Sequence, residues 1–146
     1  MDFRYAFGQS VISLKNIKVT KHLMFHSIVN NSFYPGVRQI SLVNVPLAED
    51  CLLLLLEFVR VFSKNLERIE IVNIALSDQV IEVLSKLISK AKLKQLTISK
   101  CGLKSKPFGK ICLAILEGRS VESVDFSYNF IGKRAPALKL SSVSND

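Results

Sequence analysis

Apolar and polar residues follow one spacing repeatedly along this chain. From Leu93 to Leu103 (LKQLTISKCGL) the apolar positions are Leu93, Leu96, Ile98 and Leu103, with Cys101 in the turn between the last two. Leu96 and Ile98 lie two apart, so in an extended segment both side chains point to one face. The spacing returns at Val121, Val124, Phe126, Asn129 and Ile131, and at Leu66, Ile69, Ile71, Ile74 and Leu76. It also appears at Val37, Ile40, Leu42, Val45 and Leu47, and at Gln9, Ile12, Leu14, Ile17 and Val19. These segments start at 9, 37, 66, 93 and 121, separations of 28, 29, 27 and 28 residues. Such a period predicts one supersecondary unit stacked on the next, because a single unit cannot bury its own apolar face.

The second half of each unit switches to helical spacing. In LAEDCLLLLLEFVRVFSKN, Leu52, Leu55, Leu56, Val59 and Phe62 form an inward stripe. Leu53, Leu54 and Val61 widen the apolar surface beyond it, either against helices of adjacent units or as a patch for another subunit. In SDQVIEVLSKLISKA, Ser77 is an N-cap whose hydroxyl accepts a first-turn amide, and Val80, Leu84, Leu87 and Ile88 face the core. Asp78 suits the positive end of that helix dipole, and Lys86 and Lys90 the negative end. The fourth unit has Ser105 as cap, Pro107 in the first turn, Phe108, Cys112, Ile115 and Leu116 as buried stripe, and Gly118 as terminator.

The ends of the chain are less regular. In the first unit the strand VISLK precedes a helix over TKHLMFHSIVNN, with Met24, Ile28 and Val29 inward and a turn at Pro35 and Gly36. Residues 1–8, with Phe3, Tyr5 and Phe7 alternating, read as a lid on the first unit's apolar end. At the other end, either a short helix around Pro136 to Leu140 closes the array or something else covers it, and 141–146 form a polar tail. Residues 1–146 thus make a single domain.

These units resemble leucine-rich repeats of the ribonuclease-inhibitor-like subclass, in both the 27-to-29-residue period and the helical second halves. Similar arrays occur in tropomodulins and NOD-like receptors. The unit VESVDFSYNFIGKRAPALKL carries the likeness furthest, with Asn129 at the turn position. Three earlier copies depart from it: they place Ile17, Val45 and Ile74 there, and Asn16, Asn44 and Asn73 one residue earlier. That is a displaced asparagine ladder able to bond the turn backbone. The resemblance implies an α/β right-handed solenoid, a horseshoe segment with parallel strands on its concave face and helices on its convex face. Protein binding is the role it implies.

In such an array the outward strand positions form columns. The columns read Ser13, Ser41, Glu70, Thr97, Asp125; Lys15, Val43, Val72, Ser99, Ser127; and Val11, Gln39, Arg68, Gln95, Ser123. The candidate partner face is Lys15, Ser41, Glu70, Thr97, Ser99, Asp125 and Ser127, with Tyr128 at its edge. Interface hot spots favour Trp, Tyr and Arg, so a face this poor in aromatics is either solvated or weakly adhesive.

Charge adds a second candidate surface. The net charge is +8, and Val83 to Leu116 holds no acidic residue but eight lysines: Lys86, Lys90, Lys92, Lys94, Lys100, Lys104, Lys106 and Lys110. Removing them leaves twelve basic residues against twelve acidic ones. Such a stripe is a solvated face, a dock for an acidic protein, or a contact for RNA or lipid phosphate. It lacks arginine forks and interleaved aromatics, which favours the acidic protein over nucleic acid.

A hydrophobic fraction of 49% and mean hydropathy of +0.29 exclude general disorder. The longest apolar run, CLLLLLEFVRVF, is broken by Glu57 and Arg60, short of the roughly 18 residues a membrane span needs. MDFRYAFGQS has no secretory apolar region, which points to the cytoplasm or nucleus. Cys51, Cys101 and Cys112 contain no C-x-x-C pair and suit buried thiols in a reducing compartment. His22 and His26 lack a third metal ligand. Glu70 and Asp125 share a column two units apart, roughly 10 Å at the usual strand spacing. No catalysis, cofactor or metal is therefore expected. The expected function is a protein-interaction scaffold or adaptor, as a self-associating or larger cytosolic assembly or a piece of a longer array. The alternative is a basic module binding RNA or acidic phospholipid through Lys86 to Lys110.

Overall fold

The computed structural model describes residues 11–19 and 36–131. The expected lid at 1–8, the first helix with Met24, Ile28 and Val29, the His22/His26 pair, Pro35, the segment at Pro136 to Leu140 and the 141–146 tail lie outside them. The elements are β1 (Val11–Lys15), β2 (Gln39–Val43), α1 (Glu49–Phe62), β3 (Arg68–Val72), α2 (Asp78–Lys90), β4 (Gln95–Ser99), α3 (Ser105–Gly118) and β5 (Ser123–Asp125). The five strands form one parallel sheet in chain order. Parallel neighbours need a crossover, and each described helix supplies one.

Register follows the sequence spacing. Ile12, Ile40, Ile69, Leu96 and Val124 stand opposite one another across all five strands. Leu14, Leu42, Ile71 and Ile98 form a second rung. Both rungs are closed to solvent except at Val124, on the last strand. They face Leu55 and Val59 of α1, Leu84 and Ile88 of α2, and Phe108 and Ile111 of α3 in one core.

Ser77 Oγ caps α2 by accepting the Val80 N–H at 3.2 Å, as expected. α3 departs from expectation in three ways. Its cap position is Lys104, without a side-chain cap bond, and Ser105 is its first residue. Its left-handed terminator is Arg119 (φ 58°), not Gly118. Gly118 has another purpose: a Cβ there would stand 2.9 Å from the Ile88 carbonyl oxygen, so the glycine lets α3 approach α2 closely. The third difference is the stripe. Phe108, Ile111 and Ala114 are buried, whereas Cys112 and Ile115 are half-buried and Leu116 is 70% exposed. Those three lie on the side away from α2, and no helix stands beyond α3 among the described residues.

The apolar flank expected on α1 also contracts. Leu53 and Leu54 are half-buried and pack against the core. Val61, 53% exposed, remains.

Candidate interaction surfaces

Every strand leads into a residue of the left-handed region: Asn16, Asn44, Asn73, Lys100 and Tyr128, with φ of 54, 53, 56, 55 and 59°. A short amide side chain tolerates that conformation best among non-glycine residues. The asparagines form a ladder, Asn44 Nδ2 donating to Asn16 Oδ1 at 2.9 Å and Asn73 Nδ2 to Asn44 Oδ1 at 2.8 Å. The expected bonds from these amides to the turn backbone are thus replaced by bonds between neighbouring rungs. Asn129 makes the backbone bonds instead. Its Oδ1 accepts from Cys101 N–H at 3.0 Å and Leu103 N–H at 3.1 Å, and its Nδ2 donates to Ile98 O at 2.7 Å. Cys101 Sγ lies inside, donating to Ser99 O at 3.1 Å. Burial pushes this thiol's pKa up, so it stays protonated and unreactive at neutral pH.

On the outer sheet face the candidate positions come together but are not equally available. Ser41 and Ser99, expected to face solvent, are buried. Ser41 Oγ donates to Glu70 Oε1, and the hydroxyls of Ser99 and Ser127 are 3.2 Å apart. Small hydroxyls between longer neighbours sink below the surface and bond across the strands. Glu70 and Thr97 are half-buried; Lys15, Asp125, Ser127 and Tyr128 are exposed. Asp125 Oδ1 accepts the Ser127 N–H at 2.9 Å. Bonding from the Ser127 side chain, then its backbone, holds the Asp125 carboxyl below the usual carboxylate range.

The lysine stripe disperses. Because helices run back against parallel strands, Lys90, Lys92 and Lys94 lie where the strands begin and Lys100, Lys104 and Lys106 where they end. The five residues of β4 separate the two groups by roughly 16 Å. Lys86 and Lys110 sit on the helices, Lys110 Nζ 3.3 Å from Glu82 Oε2. Lys94 occupies a column of alternating sign, Arg38, Glu67, Lys94, Glu122, linked by successive backbone bonds of 2.7, 2.7 and 2.8 Å. Arg38 and Glu67 are paired at 3.6 Å within it. Lys100 Nζ stands 5.3 Å from the centroid of the Tyr128 ring, so the fold supplies the aromatic partner absent from the stripe itself.

No protein-family model matches this chain, and no curated protein matches it.

Other surface features escaped the sequence reading: Leu113 and Leu116 are 67% and 70% exposed and Phe130 50%, beside Tyr128, already placed at the edge of the partner face, at 78%. Leu113 rims an open groove of about 340 Å³ between α2 and α3, with Glu82, Ser85, Lys86, Lys110 and Glu117. The local signal was available: an apolar residue three or four positions from Lys110 and Glu117 lies on a polar helix face. Among the described residues, no three His, Cys, Asp or Glu side chains group closely enough to hold a metal ion, and no helix is long and apolar enough to cross a membrane.

Proposed function

We propose that the chain is a non-catalytic protein-interaction scaffold built as a short leucine-rich-repeat solenoid, working within a larger assembly. The in-register rung from Ile12 to Val124 supports the repeat reading, since it reproduces the sequence period strand by strand. The observation that carries the interaction role is the exposure of Leu113, Leu116, Tyr128 and Phe130 on the last two units. Large apolar side chains left exposed on a surface favour a protein partner. Three groups that could do chemistry are otherwise engaged: Glu70 with Ser41, Asp125 with Ser127, and Cys101 inside the turn.

The test is capture from native cell extract on the immobilised full chain, at about 150 and about 500 mM salt, with Tyr128→Ala alongside. Protein retained at both salts and reduced at least five-fold by Tyr128→Ala supports the reading. Recovery of RNA or anionic lipid that vanishes at the higher salt replaces it with the basic-module alternative.

A further inference from the structure

We infer that the groove between α2 and α3 receives one amphipathic helix of a partner protein, recognised by an apolar anchor and a two-fold pattern of charge. The inference rests on the interaction role proposed above and gives that role a site and an occupant. The two helices run side by side in one direction, Lys110 reaching Glu82 and, further along, Gly118 abutting Ile88 and Ser89. At Lys110 the groove of about 340 Å³ meets a smaller one of about 120 Å³, so one trough extends from Asp78 to Ser89. At 1.5 Å per helical residue that is about 17 Å, the length of three helical turns.

The trough departs from the pattern of the other units. One position on successive helices holds Glu57, Lys86 and Leu113, charged twice and then apolar. Glu57 is engaged on its own helix, 2.8 Å from Arg60. Leu113 stands exposed on the rim, between Lys110 and Glu117. Around it the charges alternate by wall and by half. In the first half α2 presents Asp78 and α3 Lys106; in the second, α2 presents Lys86 and α3 Glu117. All four are exposed, and none makes an ion pair among the described residues. Glu82 and Lys110 neutralise each other. Like signs therefore sit diagonally, and a two-fold rotation about the trough's centre returns the same pattern.

That pattern selects the occupant. A chain of net charge +8 attracts polyanions in general, but this trough is balanced and does not. An extended segment finds no backbone edge to pair with, because both walls are helices whose amides and carbonyls bond internally. A helix arrives with its own backbone satisfied and lays an apolar stripe over Leu113. Its flanks carry an acid toward Lys86 and Lys106 and a base toward Asp78 and Glu117. Because the pattern is two-fold, either chain direction fits it. Exposed ion pairs are individually weak, so they decide which helix binds more than how tightly.

Fluorescence anisotropy on the full chain tests this with two labelled, stapled helices of about 14 residues and identical composition. One carries the complementary acids and bases around a leucine stripe; in the other every Glu and Lys is exchanged. The complementary helix is expected to bind with a dissociation constant of about 10–500 μM, at least about five-fold tighter than the exchanged one. Lys86→Glu combined with Glu117→Lys keeps the net charge and should bring the two helices within about two-fold of each other. Leu113→Ser should weaken the complementary helix at least about five-fold, and Leu116→Ser, on the side of α3 away from α2, by less than about two-fold. Equal binding of the two helices, or indifference to Leu113→Ser, overturns the inference. So does equal binding of an unstapled peptide with a central proline, which would assign the trough to an extended segment. If neither helix binds while Tyr128→Ala still reduces capture from extract, the site is overturned and the interaction role stands.

Discussion

Individual residues carry strain that the array tolerates only locally. Lys100 and Tyr128 hold the left-handed conformation that Asn16, Asn44 and Asn73 occupy in the earlier strands. For a residue with a bulky side chain that conformation costs about 1 kcal/mol. Tyr128→Asn is therefore expected to raise stability by about 0.5–1 kcal/mol in urea denaturation. Lys100→Asn should do the same and add an amide next to Asn73, prolonging the existing ladder. Unchanged or lower midpoints would mean that the Lys100–Tyr128 contact outweighs the backbone strain. The asparagine period was visible in the sequence, but its partners were not. Shifting Asn by one residue from the Asn129 position exchanges turn-backbone bonds for bonds between rungs, with partners about 28 residues away.

At the level of elements, the two glycines of α3 have opposite packing. Gly118 lies against the α2 carbonyls, with 2.9 Å between a built Cβ and Ile88 O, whereas Gly109 faces open space. Alanine improves helix propensity by about 1 kcal/mol at either position. At Gly118 the clash with backbone oxygen adds a larger opposing term, about 1–3 kcal/mol, so Gly118→Ala should lower the Tm. Gly109→Ala should raise it, and two substitutions moving Tm the same way would reject this account of α2–α3 packing. Helix boundaries were legible from caps and periodicity, most clearly in α2, where Ser77 and the inward Val80, Leu84, Leu87 and Ile88 all agree. The stripe of α3 was not legible. Cys112, Ile115 and Leu116 have inward spacing, yet their burial depends on a neighbour that the spacing of α3 does not encode.

Across the whole molecule, Cys51 and Cys101 report on units far apart in the chain. Both are buried in the sheet–helix core, and Cys101 is additionally held as the neutral thiol. Neither should react with a thiol reagent until its own unit opens. If the rungs from Ile12 to Val124 couple the units into one cooperative structure, both cysteines become reactive at the same denaturant concentration, read by mass spectrometry of labelled peptides. Separate midpoints would show that the last units open independently.

Spacing alone determined the repeat length, the strand residues, their register and most of the inward positions, because alternation and helical period are local properties of the chain. Tertiary structure decided which outward residues remain available. Ser41 and Ser99 sank between neighbours, six of the eight clustered lysines separated to opposite ends of the strands while Lys86 and Lys110 stayed on the helices, and Leu113 and Leu116 emerged on α3. Exposure depends on what stands beside a residue in space, and each unit's neighbour lies about 28 residues away in sequence.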